Sequence, residues 1–190
     1  MSLRKSRSSA PSRPQPATEF ADSHHREALR RKFLPSDPWL LFIGESPPAS
    51  GRFFYRADSG LYRAMRDAFR AVDPSINDRN FLETFQASGC YLVDLCPYPV
   101  DHLDRKLRAD ICRASEGLLS TKIAHLQPRM IASVVRSIEG NILRATSAAK
   151  WHGPLIRLPY PGRWSHCRKV FLNTLIPKLA ERGARLSPRT

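Results

Sequence analysis

Residues 39–55 constrain the fold more than any other part of the chain. They open with the apolar run Trp-Leu-Leu-Phe-Ile at positions 39–43, which is typical of a short buried strand. Gly44 ends the run, and Pro47 and Pro48 prevent a regular continuation because proline lacks an N–H and fixes φ. A helical pattern begins near Ser59. The segment predicts a strand, a stiff loop and a helix, as found at the ligand crevice of an open α/β sheet. An ordinary strand-to-helix connection over packed aromatic residues is the alternative.

Apolar runs elsewhere predict three more strands, at residues 90–93, 130–135 and 155–158. Helical patterns separate them, and strands that alternate with helices predict a parallel sheet covered on both faces. We therefore expect a three-layer α/β/α sandwich around a central four-stranded parallel sheet. Proline-rich loops follow the first, second and fourth strands. Because the carboxyl ends of parallel strands share one edge, we expect these loops to converge on one site.

Length and composition predict one domain preceded by a polar tail. The chain has 190 residues, which fits a single domain. Residues 1–22 are rich in Ser, Pro, Arg and Gln, so we expect a disordered basic tail there and one folded domain over residues 23–190. Helices are predicted at residues 23–33 and, as one long element, at residues 107–126.

The charge balance favours a polyanionic partner. The chain holds 31 Lys and Arg against 17 Asp and Glu, a formal net charge of +14. Basic residues continue through the folded part, so nucleic acid is the leading candidate. No apolar run approaches the roughly 20 residues of a membrane span, and no helix combines a wide apolar face with a uniformly basic one. We expect a monomer without membrane association in the cytoplasm, at the nucleoid if the source is bacterial.

The loop after the first strand carries a recognisable motif. Residues 44–48 read Gly-Glu-Ser-Pro-Pro, and residues 51–54 read Gly-Arg-Phe-Phe. This pair resembles the first motif of the uracil-DNA glycosylase superfamily. The closest version is that of its iron–sulfur-bearing members, in which Gly-Glu-x-Pro-Gly is followed by Gly-Arg-Pro-Phe. In the best-known members an Asp of this loop orients the attacking water, and Ser46 stands at that position here.

The resemblance extends to the loop after the second strand. Asp94 stands where the superfamily carries an Asn whose side-chain amide reads the edge of uracil. An ionised Asp only accepts hydrogen bonds, so it could accept from the N3–H of uracil. A protonated Asp could instead donate to a carbonyl of the base. The alternative role of Asp94 is to cap a turn or a helix.

The last proline-rich loop, Tyr-Pro-Gly-Arg-Trp-Ser-His at residues 160–166, corresponds to the His-Pro-Ser-Pro segment of the superfamily. Tyr160 takes the position of the His that stabilises the leaving base, and Arg163 or Trp164 falls where a side chain wedges into the duplex. His166 follows a few residues later and could replace the missing His if the loop folds back. The alternative places Trp164 in the core and His166 on the solvent face of the last helix.

The resemblance implies a DNA repair glycosylase that hydrolyses the N-glycosidic bond of uracil in DNA and leaves an abasic site. Other deaminated bases are further candidate substrates. The implied catalytic residues are Glu45 and Ser46, which would position water, Asp94, which would read the base, and His166, which would act with Arg163 on the leaving group or the opened duplex. The alternative for Glu45 is a loop residue that binds backbone N–H groups. The implied base- and DNA-binding residues are Gly44, Pro47, Arg52, Phe53, Phe54, Tyr55, Tyr160, Arg163, Trp164 and Ser165.

Phe54 matches the Phe that stacks on the extruded base in the superfamily, and Phe53 stands where the iron–sulfur members carry Pro. Either ring could serve, and the other would then pack in the core. Cys96 and Cys112 look like two of the four ligands of the cluster in those members. The chain has no cysteine before Cys90, so the other two ligands are missing. Because a cubane cluster needs four thiolates, we predict packed thiols, no metal and no cofactor.

Two other function classes remain open. A catalytically silent DNA-binding module would keep the base pocket but lack the Asp and His of the superfamily. An unrelated α/β enzyme acting on a nucleotide or another small anion would bind its ligand without dependence on polynucleotide length. Salt-dependent affinity for oligonucleotides would argue against that third class, because each phosphate contact releases counterions.

Overall fold

The computed structural model describes residues 16–162 and 164–186, with side chains described over residues 22–162 and 164–183. Four strands form one parallel sheet in the order β2-β1-β3-β4. The strands are β1 (Leu40–Gly44), β2 (Cys90–Asp94), β3 (Met130–Ser133) and β4 (Leu155–Arg157). Every residue of β1 and β2 is buried, as expected for parallel strands covered on both faces. The predicted four-stranded parallel sheet is confirmed.

Helices cover both faces of this sheet. Over the described residues they are α1 (Pro16–Lys32), α2 (Gly60–Val72), α3 (Phe81–Ala87), α4 (Arg105–Ala114), α5 (Glu116–Leu126), α6 (Glu139–Ala148) and α7 (Ser165–Leu186). The connections from β1 to β2 and from β2 to β3 run in opposite directions across the sheet, so right-handed crossovers place their helices on opposite faces. Helix α6 packs on α5, and α7 packs on α2. The predicted α/β sandwich is therefore confirmed. None of the helices described combines the length and apolar character needed to cross a membrane.

Tyr55 closes the outer edge of the sheet at β2. Its hydroxyl accepts a hydrogen bond from the Leu92 N–H over 2.8 Å and donates to the Leu92 carbonyl over 3.1 Å. Both backbone groups would otherwise be unpaired, because β2 has β1 on one side only. Phe33, which directly follows α1, stacks on the Tyr55 ring at 5.5 Å between centroids. Tyr55 thus fixes both the edge strand and the end of α1, next to the candidate site.

Two helix predictions differ from the structure. Helix α1 begins at Pro16, ahead of the expected start at residue 23, so residues 16–22 are helical rather than part of the tail. Residues 1–15 lie outside the described part. The single helix expected at residues 107–126 is two helices, α4 and α5, that meet at Ser115. The Ser115 hydroxyl donates to the Ile111 carbonyl over 2.8 Å, a back-bond that bends helices.

Candidate functional site

The loops after β1 and β2 are joined by hydrogen bonds. The Ser46 hydroxyl accepts from the Val100 N–H over 3.3 Å, and the Ala49 N–H donates to Asp101 Oδ1 over 3.0 Å. Next to the strands, the Cys96 N–H donates to the Glu45 carbonyl over 2.8 Å. These bonds bring the first two proline-rich loops together at the carboxyl edge of the sheet, as predicted. They also engage Ser46 in holding the second loop.

The loop after β4 reaches the same edge. A Cβ added at Gly60, the first residue of α2, would lie 3.6 Å from the Cα of Gly162, so this loop lies directly against the start of α2. Partial burial raises the pKa of Tyr160, while the charges of Arg63 and Arg52 lower it. The added Cβ at Gly60 would also lie 3.7 Å from the Tyr160 hydroxyl, so Tyr160 lies beside the start of α2, close to the end of the first loop. The predicted convergence of the three loops is therefore confirmed.

Arg30 of α1 fills the space between Phe53 and Asp94. Its guanidinium carbon lies 5.4 Å from the centre of the Phe53 ring, and its Nη2 donates to Asp94 Oδ2 over 2.9 Å. Both distances are typical of a cation–π contact and a charge-assisted hydrogen bond. We call this space, bounded by the Phe53 ring and the Asp94 carboxylate, the Arg30 slot. A planar cation occupies it, over an aromatic ring and hydrogen-bonded to a carboxylate.

Asp94 lies in a position that only glycine at residue 44 permits. Gly44 pairs with Asp94 in the parallel register of β1 and β2, and a Cβ at Gly44 would come within 2.6 Å of Asp94 Oδ1. Burial raises the pKa of Asp94, and the charges of Arg30 and Lys122 oppose that rise. Asp94 therefore lies at the expected strand end, with one carboxylate oxygen on Arg30 and the other against the backbone of β1.

Glu45 forms an ion pair with Arg108 of α4. Arg108 Nε donates to Glu45 Oε1 over 2.8 Å, and Arg108 Nη2 donates to Glu45 Oε2. The Glu45 side chain is only 10% exposed, so the guanidinium fixes its orientation. The carboxylate of Glu45 therefore binds a guanidinium group rather than the backbone N–H groups of the alternative interpretation. A water on Glu45 would use the lone pairs that Arg108 leaves free.

Phe54 and Tyr55, both expected at the base-binding surface, belong to the core. Phe54 is buried among the rings of Tyr55, Tyr62, Phe81 and Phe85, with centroids 5.0–6.2 Å away. The Tyr55 hydroxyl is engaged by β2, and burial raises its pKa well above the usual range. Phe54 is therefore the ring of the Phe53–Phe54 pair that packs among the aromatic side chains of the core. Phe53, although buried, is the ring that faces the Arg30 slot.

Exposed aromatic and basic side chains surround the converging loops. Tyr98 in the second loop and Tyr160 in the last loop are both exposed, and Trp164 is 58% exposed just before α7. Arg52 is exposed in the first loop, and Pro47 is buried beneath it. Trp164 is therefore a surface residue rather than the core residue of the alternative interpretation. Aromatic side chains at such a rim can stack on nucleobases in a sequence-tolerant manner.

His166 lies on the exposed first turn of α7, as in the alternative interpretation. Its Nε2 is 3.3 Å from the Sγ of the neighbouring Cys167, and Ser165 beside it is exposed. Among the residues described, no hydrogen bond joins His166 to Glu45 or Asp94. Arg163 falls outside the described residues. The structure thus brings Glu45, Ser46 and Asp94 together and leaves His166 apart.

The cysteines do not fit an iron–sulfur cluster. Cys96 and Cys112 are buried with their sulfur atoms 3.6 Å apart, in the positions suggested by the resemblance. Cys90, however, begins β2 at the opposite edge of the sheet, and Cys167 lies on α7. Across the residues that the structure describes, no cluster of three or more His, Cys, Asp or Glu side chains could hold a metal ion.

Several residues of this site carry no sequence signal. Arg30 and Arg108 reach partners 64 and 63 positions away in the chain. Lys122 of α5 shares a small cavity with Arg30 and Asp94. A local pattern cannot reveal such pairs. Tyr98, in contrast, lies in the proline-rich loop Cys-Pro-Tyr-Pro at residues 96–99. The proline content of this strand-end loop is a local signal that could have identified Tyr98 as a candidate site residue.

A scan against protein-family models returns no match for this chain, and a search of curated proteins returns none either.

Proposed function

We propose that this protein is a uracil-DNA glycosylase-type hydrolase that binds DNA through the carboxyl edge of its sheet and cleaves the N-glycosidic bond of uracil. The observation that carries the proposal is the Arg30 slot. There the planar guanidinium of Arg30 lies over the Phe53 ring, 5.4 Å from its centre, and donates a hydrogen bond to Asp94. An extruded uracil is also planar and could donate its N3–H to the same carboxylate. The slot thus has the two recognition elements of a pyrimidine site.

Arg30 must leave the slot before a base can enter. The remaining cavity beside Arg30 and Asp94 is about 30 Å³, a volume that suits a few waters rather than a base. Helix α1 carries Arg30. It is held to the rest of the site by Asp22, which pairs with Arg56, and by Phe33, which follows the helix and stacks on Tyr55. Base entry therefore requires the Arg30 side chain to swing outward or α1 to shift.

Bond cleavage leaves a cationic sugar and an anionic base, so water must be held near C1′ and positive charge near the base. Glu45 and Ser46 are the groups we assign to the water. The leaving base would lie among the charges of Arg30 and Lys122, with Arg163 and His166 as further candidates. Such fixed positive charge stabilises developing negative charge without metal chemistry. Tyr98, Tyr160 and Trp164 would contact the strand around the extruded nucleotide.

An excision assay tests the proposal. End-labelled oligonucleotides carry one uracil, either single-stranded or opposite guanine, and are treated with alkali after incubation with the protein. We expect a strand break at the uracil position that is absent from the matched thymine oligonucleotide. An intact uracil strand after prolonged incubation would contradict the proposal.

The second candidate function is a catalytically silent DNA-binding module. It is favoured by the engagement of both acidic side chains, Asp94 with Arg30 and Glu45 with Arg108. Such a module would bind uracil and thymine oligonucleotides equally, with affinity that falls steeply as salt rises. Salt-sensitive binding without any uracil-dependent break would identify it.

A further inference from the structure

A cluster of buried cations lies beside the Arg30 slot. Arg26 and Arg30 of α1 and Lys122 of α5 line one cavity of about 30 Å³, together with Ser23, Glu27 and Asp94. Arg26 is 4% exposed and Arg30 is 7% exposed. Charged side chains are almost never buried to this extent unless they are paired. The hydrogen bonds that these cations form therefore show which of their donors remain without an acceptor.

The acidic neighbours satisfy only part of these cations. Arg26 donates to Asp22 through Nη1, and Arg30 donates to Glu27 and Asp94 through its two Nη atoms. Arg26 Nε, Arg26 Nη2 and Arg30 Nε are buried without a hydrogen-bond partner. Two guanidinium groups that line the same cavity thus retain three unused donors.

Lys122 adds a third positive charge to this cavity. Across the described residues, no salt bridge to Lys122 is formed, although it lines the cavity with Glu27 and Asp94. Burial lowers the pKa of Lys122, and the charge of Arg30 lowers it further. The lining residues therefore comprise three cations, Arg26, Arg30 and Lys122, against two acids, Glu27 and Asp94. Asp22 pairs with Arg26 outside this lining, so an added anion would satisfy the unused guanidinium donors rather than an excess of charge.

We infer that Arg26, Arg30 and Lys122 form a binding site for a phosphate-type oxyanion. Such an anion offers several acceptor oxygens at short range, which matches unused guanidinium donors beside an ammonium group. The anion is either a phosphodiester of bound DNA, since the cavity adjoins the Arg30 slot, or a free phosphate. The inference does not depend on base excision, because phosphate binding is measured without uracil.

Thermal unfolding of the full-length chain with inorganic phosphate or with sodium chloride at equal ionic strength tests the inference. Three proteins are compared: the wild type, Lys122→Met and the control Lys150→Met. Lys150 is exposed between α6 and β4, at the opposite edge of the sheet. We expect phosphate to raise the melting temperature of the wild type and the control above the chloride value, because a ligand of the folded state stabilises it. We expect Lys122→Met to bind phosphate about tenfold more weakly or worse, as loss of a charge-assisted contact implies.

Competition between inorganic phosphate and a fluorescent thymine oligonucleotide distinguishes the two sources. Displacement at the concentration that stabilises the protein assigns the site to a DNA phosphodiester, and stabilisation without displacement assigns it to a free phosphate. Equal effects of phosphate and chloride on the wild type, or equal phosphate binding by all three proteins, would overturn the inference. The wild-type comparison needs no variant, so equal effects of the two salts would overturn the inference even if Lys122→Met fails to fold.

Discussion

Arg30 and Asp94 form a buried ion pair between residues 64 positions apart, with Arg30 Nη2 donating to Asp94 Oδ2 over 2.9 Å. The pair ties α1 to the carboxyl end of β2, and its side chains are only 8% and 11% exposed. Removing one partner leaves the other charge buried and unpaired. In the proposed function the Arg30 guanidinium occupies the position that the base would take. The stability of the ion pair therefore also sets the free energy needed to move Arg30 out of the Arg30 slot.

Arg30→Met is expected to lower the free energy of unfolding by about 3–5 kcal/mol, because it strands the Asp94 charge. Adding Asp94→Asn should recover part of this loss, since the stranded charge is then gone. Urea unfolding of the wild type, both single variants and the double variant gives the coupling free energy.

The control pair Arg129–Asp37 has the same 2.9 Å distance but side chains that are 64% and 59% exposed. It should couple by no more than about 1 kcal/mol. Equal coupling in the two pairs would contradict the structural role of Arg30.

Gly44→Ala is expected to displace the Asp94 carboxylate, because the new Cβ would meet Asp94 Oδ1 at 2.6 Å. We expect a destabilisation of about 1–3 kcal/mol, as for other overpacked sites. Gly117→Ala is the matched control, since Gly117 is exposed on α5 with no atom within 4 Å of the new methyl group. That control should be neutral or stabilising by up to about 1 kcal/mol. Urea unfolding measures both, and equal effects would show that the close approach at Gly44 does not constrain the site.

Glu45→Gln is expected to slow uracil excision by about 10²–10⁴-fold under single-turnover conditions if its carboxylate orients the water. Glu139→Gln is the control, because Glu139 also pairs with an arginine, Arg157, but lies at the start of α6. The control should excise uracil at the wild-type rate. Wild-type excision by Glu45→Gln would remove Glu45 from the mechanism and leave it as the partner of Arg108.

Thiol reactivity should separate Cys167 from the other cysteines. Burial raises the pKa of Cys112 to about 12, and it also raises the pKa of Cys96 and Cys90. A folded-state pKa above the usual value keeps these thiols protonated at neutral pH, and only the thiolate is nucleophilic. Cys167 is partly exposed. Iodoacetamide at pH 7.5 (about one unit below a free thiol's pKa) should therefore alkylate Cys167 first, and mass spectrometry identifies the modified residue. Equal labelling of Cys96 or Cys112 in the folded protein would contradict their packing.

The sheet could be predicted from the sequence because its signal is local. The strands are short apolar runs, and the proline-rich loops that follow three of them mark the carboxyl edge of the sheet. The positions of Asp94 and Glu45 at the ends of strands were predictable for the same reason, since Asp94 ends β2 and Glu45 follows β1. The break between α4 and α5 was missed because apolar periodicity continues across Ser115, whose hydroxyl bends the chain.

The contents of the site could not be predicted because they depend on contacts distant in sequence. Among the described side chains of α1, Arg26 and Arg30 are the most deeply buried, so hydrophobic periodicity gave no sign of these contacts. The sequence likewise could not show which of the adjacent residues Phe53 and Phe54 packs in the core and which contacts Arg30. Only the turn at residues 54–56 decides that Phe54 enters the core and that Phe53 meets Arg30.

Release of free uracil from single-stranded DNA is the measurement that tests the account most directly. The DNA carries a radiolabel in the uracil ring, and the wild type is compared with Asp94→Ala under single-turnover conditions. The account predicts that the wild type releases the labelled base and leaves the strand intact until alkali is added, and that Asp94→Ala, although folded, releases it far more slowly. Absence of free uracil with the folded wild type, despite salt-sensitive binding to the same strand, would contradict the glycosylase function and favour the silent DNA-binding module.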